Sequence, residues 1–321
     1  MNLSLDYLER CSAEAGYQVS PLEKTVRLGE IASEIGRHSF LGEVLALKGG
    51  TALNLCFGPP QRLSVDLDFN YIGHVEREKM LADRPRVENT LVDIAGRLGY
   101  RVQQSADAFA GRKLFLTYRS LLGHNERIEV DLNFLFRVSL GDTEFRHLWQ
   151  PGELDRPAVR TVGSEELIAG KLLALFDRAA VRDAWDITHL PGHLARIVDS
   201  QAFRARFIAM SVTLEHPLNT YSRSRFEKLV TERVITEQLL PMLVRGIRVE
   251  ANHLVEQTWQ TAGKFVRLAA AEEEFVSAVY RGELLPQLLF PHDQVECDRI
   301  GRHPAILWKV ANVRTYRERN G

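Results

Sequence analysis

Hydrophobic and polar positions change period several times along the chain, and each change marks an element. From Pro21 to His38, Leu22, Val26, Leu28, Ile31 and Ile35 recur at near-helical spacing, which predicts an amphipathic helix. The apolar run Val44-Leu-Ala-Leu47 stops at Gly49-Gly50, the pattern of a short buried strand. A helix is expected from Thr51 to about Phe57, closed by Gly58-Pro59-Pro60 because proline cannot continue it, with a loop through Gln61-Arg62-Leu63. Polar and apolar residues then alternate along most of Ser64 to Ile72, which predicts a half-buried strand. Glu76 to Leu98 fits a helix. Lys113 to Arg119 and Arg127 to Phe136 alternate again, as antiparallel partners joined through Gly123-His-Asn.

Beyond Pro157 the period becomes helical. Ser164 is a plausible N-cap with Glu165 and Glu166 in the first turn, and helical spacing dominates to about Arg281. The stretch Leu284 to Arg302 and a last segment through Tyr316 are too irregular to assign, and no internal repeat stands out. The expected fold class is α/β (α+β): a mixed, partly antiparallel sheet with helices packed on it, followed by a mostly helical lobe. The expected domains are 1–157 and 158–321.

Composition narrows the function. A chain of 321 residues has room for two packed lobes, and 45% hydrophobic with 26% charged residues is ordinary for a globular protein. No apolar run approaches the roughly 18 residues of a membrane span. A net charge of −1, from 41 basic and 42 acidic side chains, argues against a uniformly basic surface for duplex DNA. The start Met1 to Arg10 carries acids and lacks the pattern of a signal peptide, so the expected address is the cytoplasm. Cys11, Cys56 and Cys297 are scattered, which indicates neither a disulfide framework nor a zinc site. His189 and His193 are separated by Pro191-Gly192, which breaks the helix that would pair them on a metal.

The candidate chemistry lies in the Ser64–Ile72 strand. Asp66 and Asp68 are two apart, so both carboxylates project from one face while Val65, Leu67 and Phe69 enter the core. Paired like charges persist where a divalent cation compensates them, and hard oxygen ligands suit Mg²⁺ or Mn²⁺. Asp131, on the alternating stretch Ile128-Glu-Val-Asp-Leu-Asn-Phe134, is a candidate third acid if the strands are neighbours. Three carboxylates on two cations would stabilise both oxygens of an in-line phosphoryl displacement. Upstream, Lys48-Gly49-Gly50-Thr51 joins strand to helix, and its glycines let the backbone approach an anionic ligand such as a triphosphate. Thr51 and Ser64 are candidate hydroxyl donors to phosphate, and Arg62 a candidate loop cation. Each part alone is commonplace; their combination in this order is a pattern that chance supplies rarely.

Leu47-Lys-Gly-Gly-Thr-Ala-Leu53 followed by Arg62-Leu-Ser-Val-Asp-Leu-Asp-Phe69 resembles the signature of the AbiEii/AbiGii family of nucleotidyltransferase-like toxins, within the DNA polymerase β-like superfamily. Glu165-Glu-Leu-Ile-Ala-Gly-Lys-Leu-Leu-Ala174 and Arg182-Asp-Ala-Trp-Asp-Ile187 are similar to that family's lysine-bearing helix and Arg-Asp-x-x-Asp segment. The resemblance implies a polymerase β-like core. It matches Ser64, Asp66 and Asp68 to phosphate and metal binding, Lys171 to a lysine that contacts nucleotide phosphates, and Asp186, or else Asp183, to an acid required for activity in the same cleft. Without it, Lys171 is a lysine on an amphipathic helix, for which a solvated position is the ordinary expectation. The resemblance further implies an NTP substrate, an RNA acceptor such as the tRNA 3′ end with a block of translation, and a winged-helix antitoxin partner. Arg178, Arg182, Arg223, Arg225 and Lys228 are candidates for a phosphate-contacting face. Transfer to a protein or small molecule, and a non-catalytic nucleotide-binding module, are the rival readings.

Overall fold

The structure is a computed structural model and describes residues 3–320; Met1 and Asn2, part of the start read above as unlike a signal peptide, and Gly321 lie outside them. The chain divides into two compact units. The first runs to Gly163 and takes in Thr236–Arg248; the second comprises Ser164–Ile235 and the chain from Val249 onward. The turn of the chain back into the first unit was not expected from sequence, and the first break falls after Gly163 rather than 157.

The first unit contains helices α1 (Leu5–Ala15), α2 (Val19–Arg37), α3 (Leu41–Val44), α4 (Gly49–Leu55) and α5 (Arg77–Arg97). Its strands are β1 (Leu45–Lys48), β2 (Asp66–Tyr71), β3 (Arg101–Gln104), β4 (Gly111–Arg119), β5 (Asn125–Asn133), β6 (Glu144–His147) and β7 (Ala158–Thr161). They form one seven-stranded sheet in the order β3-β4-β5-β2-β1-β7-β6. Two neighbouring pairs are parallel, β2 with β5 and β1 with β7, and the rest are antiparallel, so the sheet is mixed as the sequence predicts. The short strands β3, β6 and β7 carry too few alternating residues to be read from the pattern alone.

Alternation gives the sheet two unlike faces. On one side Leu67, Phe69, Leu114, Leu116, Val130 and Leu132 are buried. The α2 residues Leu22, Val26, Leu28, Ile31 and Ile35 are buried as well, and Arg27 of α2 lies 4.1 Å above the Tyr118 ring, which places this helix over that face. The other side carries Asp66, Asp68, Glu129 and Asp131, all half-buried.

The returning segment is stitched into the first unit by its backbone. Leu63 N–H donates to the Met242 carbonyl at 2.8 Å, Arg62 bridges Leu243, and Arg245 N–H donates to the Gly16 carbonyl at 2.8 Å. Gly16 ends α1 in the left-handed region at φ 77, and a β-carbon there would meet Val244 Cγ1 at 2.7 Å, so both conformation and space call for glycine.

The second unit is helical, with α6 (Ser164–Arg178), α7 (Val181–Thr188), α8 (Gly192–Val198), α9 (Gln201–Ser211), α10 (Arg223–Leu229), α11 (Glu232–Val234), α12 (Ala251–Ala262), α13 (Ala270–Arg281), α14 (Gln294–Gly301) and α15 (Pro304–Asn320). Its core is aromatic: Phe203, Phe207, Phe226, Phe265 and Phe275 are fully buried. The last two helices lie in the stretch after Leu284 that the sequence pattern left unassigned. Asp293 caps α14 by accepting from the Glu296 N–H, while on α15 Leu307 and Trp308 remain exposed and blur the apolar periodicity. No described helix is long and apolar enough to cross a membrane.

Candidate active site

Register on the polar face of the sheet sets the site. Lys48 stands opposite Asp68, Asp68 beside Asp131, and Asp131 opposite Lys113, so four adjacent strands present these side chains at one level. One level along, Asp66 stands beside Glu129. The pairing of β2 with β5 therefore brings the third acid next to the Asp-x-Asp pair, at the roughly 5 Å spacing of neighbouring strands.

Glu129 and Lys113 belong to this face, although the motif did not single them out. Glu129 lies two residues before Asp131 on an alternating strand, so the period that places one acid places both. Lys113 had no such signal, because its position depends on how β4 pairs with β5. Its ammonium pairs closely with Glu129 and lies 3.6 Å from Asp131 Oδ2. The Glu129 carboxylate raises the Lys113 pKa, against the effect of partial burial. Asp66, Asp68, Glu129 and Asp131 share this face with Lys48 and Lys113. Partial burial pushes the Asp131 carboxyl above its ordinary value and Asp68 adds to this, while Lys113 and Lys48 oppose it. Among the described residues, no three His, Cys, Asp or Glu side chains already converge on one point as a closed metal cage would. The carboxylates stand side by side on one face of the sheet, and that row of hard oxygen donors is the feature that fits a divalent cation.

The glycine bend is built against these acids. Gly49 has φ 70, and a β-carbon on it would lie 2.3 Å from Asp68 Oδ2. Only glycine allows both that conformation and so close an approach. Lys48, just before the bend, holds its ammonium 5.9 Å from the centre of the Phe136 ring.

Two expected phosphate contacts sit differently. Thr51 is fully buried and its hydroxyl donates to the Asp66 carbonyl at 2.5 Å, so it anchors the start of β2 to α4. Arg62 is 2% exposed and donates to the Leu63 carbonyl at 2.8 Å, so it lies inside the first unit rather than on a solvated loop. Ser64 is also buried.

In the second unit, Lys171 of α6 and the two acids of α7 form a buried ion cluster. Lys171 Nζ lies 2.9 Å from Asp183 Oδ1 and 2.8 Å from Asp186 Oδ2, and Arg178 Nε lies 2.7 Å from Asp183 Oδ2. The side chains of Lys171, Asp183 and Asp186 are 6%, 1% and 0% exposed. The ordinary expectation of a solvated lysine is thereby corrected: helical spacing aims Lys171 inward, where two carboxylates compensate its charge. Burial alone would push the Asp183 carboxyl up, but Lys171 and Arg178 overcome it and hold it below the usual carboxylate range. Ala179, with φ 49, and Ala180 make the tight turn that brings α7 back alongside α6. His189 ends α7 and stacks on Trp185, with ring centres 3.6 Å apart. Of the five candidate phosphate-contacting cations, Arg178 is engaged by Asp183, and Arg223 by Glu227 and Glu256 at 2.8 and 2.5 Å. Arg182 is half-buried on α7.

The family model for the nucleotidyl transferase AbiEii toxin of type IV toxin–antitoxin systems matches residues 35–262. That span contains the acid face, the glycine bend and the buried ion cluster. MenT4, a nucleotidyltransferase toxin of Mycobacterium tuberculosis H37Rv, has a similar fold: the match has a TM-score of 0.61 at 17% identity and covers 95% of this chain and 99% of that one. An antigenic nucleotidyltransferase-like protein from Paracoccidioides brasiliensis overlaps 51% of this chain and 72% of its own at 17% identity, with a TM-score of 0.34, too low to carry weight. No curated protein matches by sequence. The span of the family match and the motifs inside it make this chain a nucleotidyltransferase, a member of the AbiEii toxin family of type IV toxin–antitoxin systems.

Proposed function

We propose that the protein transfers a nucleotide from an NTP to the 3′ end of an RNA, tRNA being the first choice, and thereby blocks translation in the cytoplasm until a cognate antitoxin, of winged-helix type, counteracts it. The observation that carries this reading is the close approach of the Gly49 bend to Asp68, beside Asp131, which supports a turn that receives the phosphates of the nucleotide next to acids that hold the metal. Asp66, Asp68 and Asp131 would hold Mg²⁺ or Mn²⁺, which when bound supplies charge neutralisation at the reacting phosphate. Lys48, the Gly49-Gly50 backbone and Ser64 are assigned to the nucleotide, with Thr51 and Arg62 supporting them from beneath. Lys113 holds Glu129 and steadies Asp131 from the next strand. Lys171 and Asp186 are assigned to triphosphate neutralisation and activity.

The test is incubation of the protein with each labelled NTP, with total RNA and total protein offered separately in Mg²⁺ or EDTA. Label in RNA, lost in EDTA and in Asp68→Asn, is the expected result. Label confined to protein overturns the RNA acceptor, and label insensitive to Asp68→Asn overturns the site.

A further inference from the structure

We infer that an open pocket of about 430 Å³ in the second unit is a docking site for a backbone phosphate of the acceptor RNA. The inference rests on the RNA reading above and deepens it. Arg225 and Lys228 supply its cations, His216 an imidazole, and Thr220, Ser222 and Ser224 supply hydroxyls; among the described residues that line it, none carries a carboxylate. Such a mixture of fixed cations and hydroxyl donors suits a phosphate oxyanion.

Arg225 is held ready for that task. Its guanidinium lies 5.6 Å from the centre of the Tyr221 ring, one Nη donates to the Asp177 carbonyl, and its Nε is buried with no hydrogen-bond acceptor. The ring and the carbonyl hold the guanidinium where it lines the pocket, so little side-chain freedom is lost when it meets a phosphate. Lys228 is exposed on the same helix. Glu215 approaches His216 at 3.9 Å, which leaves Arg225 and Lys228 as the cations on which the site rests.

The lining also separates a polynucleotide from a free nucleotide. Tyr221 is 7% exposed, so its ring is closed to a base, and the exposed imidazole of His216 is the ring of the lining that a base could reach. A pocket that grips phosphate without reading a base suits backbone contact, which positions a chain irrespective of its sequence. The same geometry sorts the basic residues of this region: Arg178 and Arg223 are held by acids, whereas Arg225 and Lys228 face the pocket.

The test uses the full-length protein and two variants, Arg225→Gln and Lys228→Glu. The second alters an exposed side chain and keeps the test valid if the first fails to fold. Binding of a fluorescein-labelled tRNA-sized RNA is followed by anisotropy from 50 to 200 mM salt, and nucleotide transfer is measured on that RNA and on a short oligonucleotide acceptor. The expected result for Lys228→Glu is at least about 10-fold weaker binding of the long RNA, a salt slope shallower by about one, and unchanged transfer to the short acceptor. Unaltered affinity and salt slope in the folded variants overturn the pocket, even if the wild type labels RNA well. A wild type that binds RNA through Lys228 but transfers nothing to it overturns the RNA-acceptor reading and leaves the pocket standing. Competition by free NTP as strong as that by RNA assigns the pocket to the nucleotide and overturns the inference.

Discussion

A methyl group added at Gly49 would meet Asp68 Oδ2 at 2.3 Å and Asp68 Cβ at 3.2 Å, and it would sit on a backbone at φ 70. Gly49→Ala is therefore expected to cost about 1–2 kcal/mol of stability through the left-handed conformation. It should also displace the Asp68 carboxylate and lower the transfer rate by about 100-fold, as a misplacement near 1 Å does. Parallel urea denaturation and single-turnover rates check this, and a variant with full activity removes Gly49 from the site. At Lys171 the expectation has the opposite balance. Lys171→Met leaves the buried Asp186 and Asp183 without their shared cation, and a loss of about 3–5 kcal/mol is expected from urea melts. A cost below about 1 kcal/mol would show that those carboxylates do not depend on it. At this scale the acids Asp66, Asp68 and Asp131 were legible because strand alternation states which side chains share a face. The burial of Lys171, Thr51 and Arg62 was not, because their sequence neighbours do not reveal what lies opposite.

Between elements, the ion cluster is a clasp from α6 to α7, and its strength depends on pH. Asp183 binds its proton less tightly folded than unfolded, so its contribution is whole above the ordinary aspartate value of about 3.9. It is lost as pH falls from there through the lower folded value. The stability of the second unit should therefore persist to about pH 4 and fall steeply below it, and Asp183→Asn should flatten that limb in melts run from pH 6 to pH 2.5. An unchanged slope would place the acid sensitivity elsewhere. The returning segment 236–248 offers a second element-scale test. Leu243 is 1% exposed and sits on the segment that bridges Arg62, so Leu243→Ala should cost about 2–5 kcal/mol and speed amide exchange across residues 62–64. Long periodic elements such as α2, α5, β4 and β5 were predicted within a few residues. The four-residue strands β3, β6 and β7 were not: so few residues carry no period, and unlike β1 they have no apolar run closed by glycines.

For the molecule as a whole, membership of a toxin family sets a cellular expectation. Production of the chain in a bacterial host should arrest growth, and Asp66→Ala should abolish the arrest while leaving the melting curve intact. Arrest that survives Asp66→Ala would favour a non-catalytic mode of action. The sequence by itself determined the mixed sheet, the helical second half, the polar face with its aspartates and the glycine bend before α4, because each is a consequence of local period, turn chemistry and side-chain alternation. Tertiary structure alone decided that β2 pairs with β5, that Lys113 and Glu129 join the acids, that Lys171 is compensated by two carboxylates, and that 236–248 returns to the first unit. Those facts depend on which distant segments meet, and contacts between segments far apart in the chain leave no periodic trace in either segment.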